Sequence, residues 1–146
     1  MEQLVVESVR YSAPCVGCGA LLECWGVHGL IGGSLRWDVE SVCSGCGQTT
    51  ADCGQDVPAR LRARLLAEHG PATLQMTNPS VERVTVMRVL RAELGLGLTA
   101  AKAVVGQVLA GVYSGTLPEM EYLARKLRGV GVGAVAAAPE GLLATP

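Results

Sequence analysis

The chain contains no phenylalanine, and two tryptophans and three tyrosines make up all of its aromatic residues. Any buried core therefore has to be built from aliphatic side chains, mainly valine, leucine and alanine. The composition is otherwise that of a globular protein, since 49% of the 146 residues are hydrophobic and 17% are charged. This length suffices for one ordinary domain or two small ones.

A strong charge of either sign is also lacking. The formal net charge is -1; residues 1–70 have a balance of -3 and residues 71–146 a balance of +2. Proteins that bind nucleic acids usually present a basic patch. The charge therefore argues against a nucleic acid as the partner of this chain.

Long apolar runs are missing as well. The acidic start MEQLVVESVR has no charged region followed by an apolar segment, so it does not have the pattern of a secretory signal. The segment 103–117 has no charges, but it is interrupted by Gln107, Ser114 and three glycines and is too short to cross a bilayer. We therefore predict no membrane association and a cytoplasmic protein, where cysteines serve as metal ligands or reactive thiols more often than as disulfides.

No motif for catalysis is present. The Gly95–Gly97 segment lacks the Gly-Lys-Ser/Thr continuation of a phosphate-binding loop. We find no Ser/His/Asp or Cys/His set and no paired carboxylates in a defined framework. The sequence therefore predicts a protein that is not an enzyme, and no catalytic residue is assigned.

Two of the cysteine motifs match each other. The first knuckle (Cys15–Gly19) and the second knuckle (Cys43–Gly47) both read C-x-x-C-G, and 24 residues separate their cysteine pairs. Two strand-like runs, 20–27 and 34–42, lie between them and are joined by a glycine-rich turn. This is the plan of a zinc ribbon, which the chain resembles over residues 10–54. We predict one structural Zn²⁺ ion, bound by four thiolates: Cys15, Cys18, Cys43 and Cys46.

Two other kinds of cysteine chemistry fit these motifs less well. A single C-x-x-C at a strand-to-helix junction would indicate a thiol–disulfide pair, but two matched knuckles without a helix start fit that interpretation poorly. A catalytic zinc is disfavoured because four thiolates leave no open coordination position.

The other cysteines and both tryptophans are predicted to have structural rather than chemical roles. Cys24 is expected to be a small buried thiol and Cys53 a spare one. A second metal site from Cys24, Cys53 and His28 matches no common ligand spacing, and His28 is expected in a loop or at a helix end. Trp25 and Trp37 are expected in the core of the ribbon, since the acidic residues around them disfavour base stacking.

A helix follows the ribbon. Asp56 is predicted as its N-cap, Pro58 fits its first turn, and Gly70 ends it, with His69 at its last position. It is expected to connect the ribbon to the second module.

The second module alternates between strand and helix patterns. A short strand is predicted over 72–76, and Ser80 is predicted to cap a helix that runs to about Leu94. After a glycine-rich turn, Thr99 is predicted to cap a second helix whose buried face extends from Ala101 to Val112.

A third helix and a final strand complete the module. The third helix opens with a capping box formed by Thr116 and Glu119, and the final strand is predicted over 132–138.

The first of these helices carries two stripes at helical spacing. One stripe is apolar and is expected to face a core: Val86, Val89, Leu90 and Leu94. The other combines two apolar residues with two arginines: Val84, Met87, Arg88 and Arg91. Methionine and arginine are favoured at protein interfaces, so the second stripe is a candidate partner surface. The alternative is that Val84 and Met87 widen the buried face while the arginines extend to water.

The run RVTVMRVLRAELGLGLTAAKAVV, residues 83–105, resembles the C-terminal domain of the bacterial ribosomal stalk protein. The resemblance extends over about residues 72–138, and its most distinctive part is Gly95–Leu98 followed by Ala101 and Lys102. It implies a compact α/β domain that recruits translational GTPases through its first helix and the start of its second.

Carried over to this chain, the resemblance implies a contact surface made of the second stripe together with two flanking residues: Val84, Met87, Arg88, Arg91, Gly97 and Lys102. The chain departs from the family in two ways. A ribbon replaces the helical dimerisation segment and hinge, and Thr99 and Ala100 stand where the family usually has lysine and glutamate. A stalk-domain-like adaptor is therefore the better description.

These patterns together predict an α+β protein: an N-terminal antiparallel β zinc ribbon, then a small α/β sandwich of three helices on a short antiparallel sheet. The expected organisation is a ribbon module in 1–55, a connecting helix in 56–70, a stalk-like domain in 71–139 and a tail in 140–146. The predicted function is a protein-binding adaptor for a translational GTPase or another ribosome-associated protein. The alternative is an immunity or antitoxin protein that binds and blocks a toxin, with the acidic surface of residues 1–70 facing a basic toxin.

Overall fold

The computed structural model describes residues 3–78 and 82–139. The chain has an α+β fold and divides into two compact units, with the boundary between His69 and Gly70. Each unit has a buried apolar cluster of its own. The predicted fold class is therefore confirmed.

The first unit is a four-stranded antiparallel sheet with the strand order β1-β2-β3-β4. Its strands are Val5–Pro14 (β1), Leu21–Ile31 (β2), Ser34–Cys43 (β3) and Thr49–Gly54 (β4). The sequence predicted the two central strands, and the structure adds the two outer ones. β4 has no alternating apolar face, since its first five residues are exposed and the sixth half-buried, so periodicity gave no signal for it.

A helix, Ala59–His69 (α1), packs on one face of this sheet. Its buried Leu61 and Leu65 contact Val9 of β1. Gly26 of β2 makes this approach possible, because a Cβ atom there would collide with Leu61. The helix predicted as a connector thus completes the core of the first unit.

The N-terminal end of α1 differs from the prediction. The helix begins at Ala59, so Asp56 lies outside it and the predicted N-cap was wrong. At the other end, the Nε2 atom of His69 lies 2.7 Å from the carbonyl oxygen of Ser8 and ties the helix to β1.

The tryptophans lie on opposite faces of the sheet. Trp37 packs in the cluster under α1, as predicted. Trp25 is half-buried on the other face, where the guanidinium of Arg10 lies 5.4 Å from its ring centroid, so its assignment to the core was wrong. His28 was also misplaced by the prediction, since it is a fully buried residue within β2. Cys24 is buried, as predicted.

The second unit places three helices on a three-stranded antiparallel sheet with the order β6-β5-β7. The strands and helices are Ala72–Met76 (β5), Arg83–Leu94 (α2), Leu98–Leu109 (α3), Ser114–Gly115 (β6), Leu117–Gly129 (α4) and Ala134–Ala137 (β7). The predicted three-helix arrangement is confirmed, and β5 has the predicted bounds.

The core of this unit is aliphatic, as the composition required. Val86 and Leu90 of α2 and Val105 and Val108 of α3 are among its fully buried members. Two predicted core positions were wrong, because Leu94 is 36% exposed and Val112, which follows the end of α3, is 63% exposed.

The helix caps were predicted in part. The capping box of α4 is confirmed, since Thr116 Oγ1 accepts from the Glu119 N–H and the Glu119 carboxylate accepts from the Thr116 N–H. The cap assigned to Thr99 was wrong, because α3 begins at Leu98 after Gly97. Ser80 lies outside the described residues.

Within the described residues no single helix has both the length and the apolar character needed to cross a membrane. The pair α2 and α3 passes that test only when taken together, across a bend of 116°.

Candidate metal centre and docking groove

The two knuckles have the same backbone conformation. In the first, the Cys15 N–H donates to the carbonyl of Ala20 at 2.6 Å, and the Gly19 N–H donates to the carbonyl of Cys15 at 2.9 Å. The second knuckle repeats this pattern, with the Cys43 N–H donating to the carbonyl of Gln48 at 2.8 Å. Backbone hydrogen bonds within each loop therefore close it independently of a metal ion.

The glycines of the knuckles have distinct roles. Gly19 and Gly47 have φ angles of 76° and 74°, a left-handed conformation that residues with a Cβ atom rarely adopt. Gly45 is required for space, because a Cβ atom there would lie 2.7 Å from the Cβ of Ala20 and 3.2 Å from the Sγ of Cys18. The glycines therefore allow the two loops to approach each other.

The four predicted ligand sulfurs lie together between the knuckles. The Sγ atoms of Cys15 and Cys46 are 3.9 Å apart and those of Cys18 and Cys43 are 3.4 Å apart. All four sulfurs lie within 4.8 Å of one another. Tetrahedral coordination with bonds of about 2.3 Å places sulfurs about 3.8 Å apart, so this cysteine cluster could hold a metal ion.

Cys24, Cys53 and His28 are not brought together. In the part of the chain that the structure describes, the cysteine cluster is the one group of three or more His, Cys, Asp or Glu residues whose ligand atoms converge. The alternative second metal site therefore has no geometry to support it.

The cluster joins two shielded and two accessible sulfurs. Cys15 and Cys43 are only 4% and 1% exposed, whereas Cys18 and Cys46 are exposed. The Cys46 N–H points at the sulfur of Cys43 at 3.5 Å.

Hydrogen bonding shifts the thiol pKa values within the cluster. The N–H of Cys46, assisted by the Cys18 thiol and the Gly45 N–H, lowers the pKa of Cys43 to about 6. For Cys18, the hydrogen bond with the backbone of Ala20 lowers the pKa, but the neighbouring Cys43 sulfur and desolvation outweigh it and raise the pKa to about 11. The Cys43 sulfur is thus predisposed to be a thiolate, and a bound cation would favour deprotonation of Cys18.

Gln48 is a residue of this site that sequence analysis did not identify. Its Oε1 atom lies 3.8 Å from the Sγ of Cys15. Rotation of the amide would place its NH₂ group there, where it could donate to a thiolate ligand. Gln48 directly follows the second knuckle in the sequence, but that position gave no indication of this contact.

A groove of about 510 Å³ lies on the surface of the second unit. It is lined by residues of α2 and the following turn: Val84, Met87, Arg88, Arg91, Ala92, Gly95 and Leu96. All four residues of the second stripe are in this lining. Gly97 and Lys102 are exposed but do not line it.

The stripe faces outward. Val84 is 67% exposed, and Met87 is half-buried, with part of its side chain against the core. Arg91 donates from Nε to the carbonyl of Leu96 at 3.4 Å, while Arg88 is exposed and has no ion pair with any described residue. Apolar and cationic groups are therefore accessible side by side.

Comparison of the chain with protein-family models, with curated proteins and with solved structures gave no match.

Proposed function

We propose that this protein is a non-enzymatic adaptor that binds a protein partner in the groove on α2. The observation that supports this proposal is the position of Val84, Met87, Arg88 and Arg91, which all line one accessible depression. The resemblance of residues 83–105 to the stalk domain points to a translational GTPase or another ribosome-associated protein as the partner.

The groove offers two kinds of contact. Val84 supplies exposed apolar area that a partner would remove from water, and Met87 can adjust its shape to that partner. The guanidinium groups of Arg88 and Arg91 can bind carboxylates through paired hydrogen bonds. An acidic surface with apolar side chains at its centre fits this lining best.

We further propose that the metal of the cysteine cluster is Zn²⁺ with a structural role. Four thiolates are the soft ligand set of structural zinc sites. With all four positions filled by protein, the ion has no place for a substrate. Zinc would hold the knuckles together in a unit whose apolar cluster has three buried residues among those described.

A charge-reversal experiment tests the groove. The full chain carrying Arg88→Glu and Arg91→Glu should bind a purified elongation-factor GTPase at least about tenfold more weakly than the natural chain, as measured by isothermal titration calorimetry. The matched control carries Arg36→Glu and Arg60→Glu, two exposed arginines of the first unit, and changes the net charge equally.

The expected outcome is loss of binding with the first pair and retention with the second. Equal weakening by both pairs would indicate a general charge effect and contradict the groove. Absence of binding by the natural chain would contradict the GTPase as partner.

A further inference from the structure

The sulfurs of the cysteine cluster form two close pairs, and both pairs join one knuckle to the other. Cys18 and Cys43 are 3.4 Å apart, and Cys46 and Cys15 are 3.9 Å apart. In each pair the first cysteine is exposed and the second is buried. Each pair therefore places a sulfur that a dissolved oxidant reaches beside a shielded sulfur.

We propose that the cluster is an oxidation site for hydrogen peroxide, at which the metal ion is exchanged for two disulfides, Cys15–Cys46 and Cys18–Cys43. This inference rests on the zinc centre proposed above and assigns it a regulation. The exposed sulfur of each pair reacts with peroxide, and the buried sulfur resolves the product.

The reaction balances within the cluster and the oxidant. The exposed sulfur, which a bound cation would hold as a thiolate, attacks one oxygen of the peroxide. The O–O bond breaks, and the leaving hydroxide takes a proton to form water. The resulting sulfenic acid is attacked by the buried thiolate, which forms the S–S bond and displaces a second hydroxide that is also protonated. Each disulfide thus transfers two electrons from two thiolates to one peroxide. For the whole cluster, two peroxides and four protons are consumed, and two disulfides, one Zn²⁺ ion and four waters are formed.

The linkage determines what oxidation does to the fold. The disulfides between knuckles would join residues 31 and 25 positions apart, and so replace the metal as a long-range cross-link. Disulfides within each knuckle would leave the two loops unconnected. We therefore expect the oxidised chain to lose its metal and to keep the folded sheet.

Tryptic mapping tests this linkage in the full chain. Trypsin separates residues 11–36, which contain the first knuckle, from residues 37–60, which contain the second. The reduced, zinc-loaded chain is treated with hydrogen peroxide while a chromogenic chelator reports zinc release. Free thiols are then alkylated, and the linked peptides are fragmented by tandem mass spectrometry to identify which cysteines are joined. The expected result is one zinc released for every two disulfides, the two peptides joined by both, and an unchanged far-UV circular dichroism spectrum.

A control excludes the other two cysteines, which fall in the same two peptides. The variant carrying Cys24→Ser and Cys53→Ser keeps the cluster and should give the same linked peptides. Separate peptides with internal disulfides, a Cys15–Cys43 link, sulfinic or sulfonic acids in place of disulfides, or loss of the strand signal would each overturn the inference.

A chain that binds no zinc contradicts the metal centre proposed above. A chain that binds zinc and yields other oxidation products contradicts the present inference alone.

Discussion

At the scale of single residues, the cysteine cluster depends on glycines, which have no Cβ atom, as well as on its four sulfurs. Gly45 lets Ala20 and Cys18 approach from the other knuckle, and Gly19 and Gly47 turn the chain with left-handed φ angles. A side chain at Gly45 would separate the knuckles without removing a ligand. Three of the four glycines in the repeated C-x-G-C-G pattern therefore have a structural role.

Replacing one ligand should abolish tight metal binding. We expect Cys43→Ser to lower zinc affinity at least about 100-fold, since loss of a group that merely supports a ligand already costs 10–100-fold. Competition with a chelator of known affinity measures this. Cys53→Ser, at an exposed position outside the cluster, is the control and should bind zinc as tightly as the natural chain. Equal loss in both variants would show that the cluster is not the site.

Tyr122 provides a residue-level test by pH. Its hydroxyl donates to the carboxylate of Glu93, which, with burial, raises the pKa of Tyr122 from 10.0 to about 12. The folded state therefore holds the phenol proton more tightly than the unfolded state. The stabilisation is fully present below pH 10 and is lost between pH 10 and pH 12.

The matching variant is Tyr122→Phe. Because Tyr122 is partly exposed, we expect it to lower the free energy of unfolding by only about 1 kcal/mol at pH 8. Urea titrations at pH 8 and pH 11 should show the difference between the two chains shrinking. A difference that stays constant across this range would contradict the assigned hydrogen bond.

At the scale of helices and strands, α1 and α4 are positioned by different means. α4 carries its own start signal, the capping box of Thr116 and Glu119, and the sequence therefore predicted its beginning. α1 is positioned by the sheet, since Leu61 fits over Gly26 and His69 contacts the carbonyl of Ser8. The sequence thus predicted both helices, but it placed the start of α4 correctly and that of α1 three residues early, and it did not show that α1 packs on the sheet.

Removing the cap of α4 should weaken the second unit. Thr116 is fully buried, and Thr116→Ala removes the oxygen that accepts from the Glu119 N–H. We expect a loss of about 1 kcal/mol in the free energy of unfolding. Thr99→Ala is the control, because Thr99 is exposed and lies within α3. Chemical denaturation should show a change within about 0.5 kcal/mol for Thr99→Ala. Equal losses in the two variants would refute the special role of the capping box.

Filling the space above Gly26 should displace α1. Gly26→Ala introduces a Cβ atom against Leu61, and we expect a loss of about 1–3 kcal/mol in the stability of the first unit. The double variant Gly26→Ala, Leu61→Ala removes the collision. Its loss should therefore be smaller than the sum of the two single losses, and strict additivity would argue against this contact.

At the scale of the whole molecule, two separate clusters support the fold. Among the described residues, the cluster of the first unit contains Val9, Leu61 and Leu65 as its buried members, while the cluster of the second unit contains twelve. A metal ion contributes most where the apolar core is small. We therefore expect the proposed zinc to matter for the first unit far more than for the second.

Removing metal from the full chain tests this expectation. Differential scanning calorimetry of the zinc-loaded chain should show a transition that moves to lower temperature when a chelator is added, because binding to the folded state alone stabilises it. A second transition, from residues 70–139, should stay in place. Equal shifts of both transitions, or none, would contradict a structural ion confined to the first unit.

What the sequence determined by itself was the local chemistry. It specified the four cysteines at the spacing of a metal site, the aliphatic core, the capping box of α4 and the stripe on α2 that lines the groove. Each of these depends on residues a few positions apart, or on a motif that repeats, so each is visible along the chain.

The tertiary structure alone decided the rest. The first five residues of β4 are exposed, and the strand acquires its place only by pairing with β3. Trp25 and Trp37 lie on opposite faces of the sheet, and α1 covers the face that carries Trp37. The pairing of exposed with buried sulfurs, on which the oxidation chemistry depends, arises where two distant loops meet. These features follow from contacts between residues far apart in sequence, and hydrophobic periodicity carries no information about which surfaces those contacts bring together.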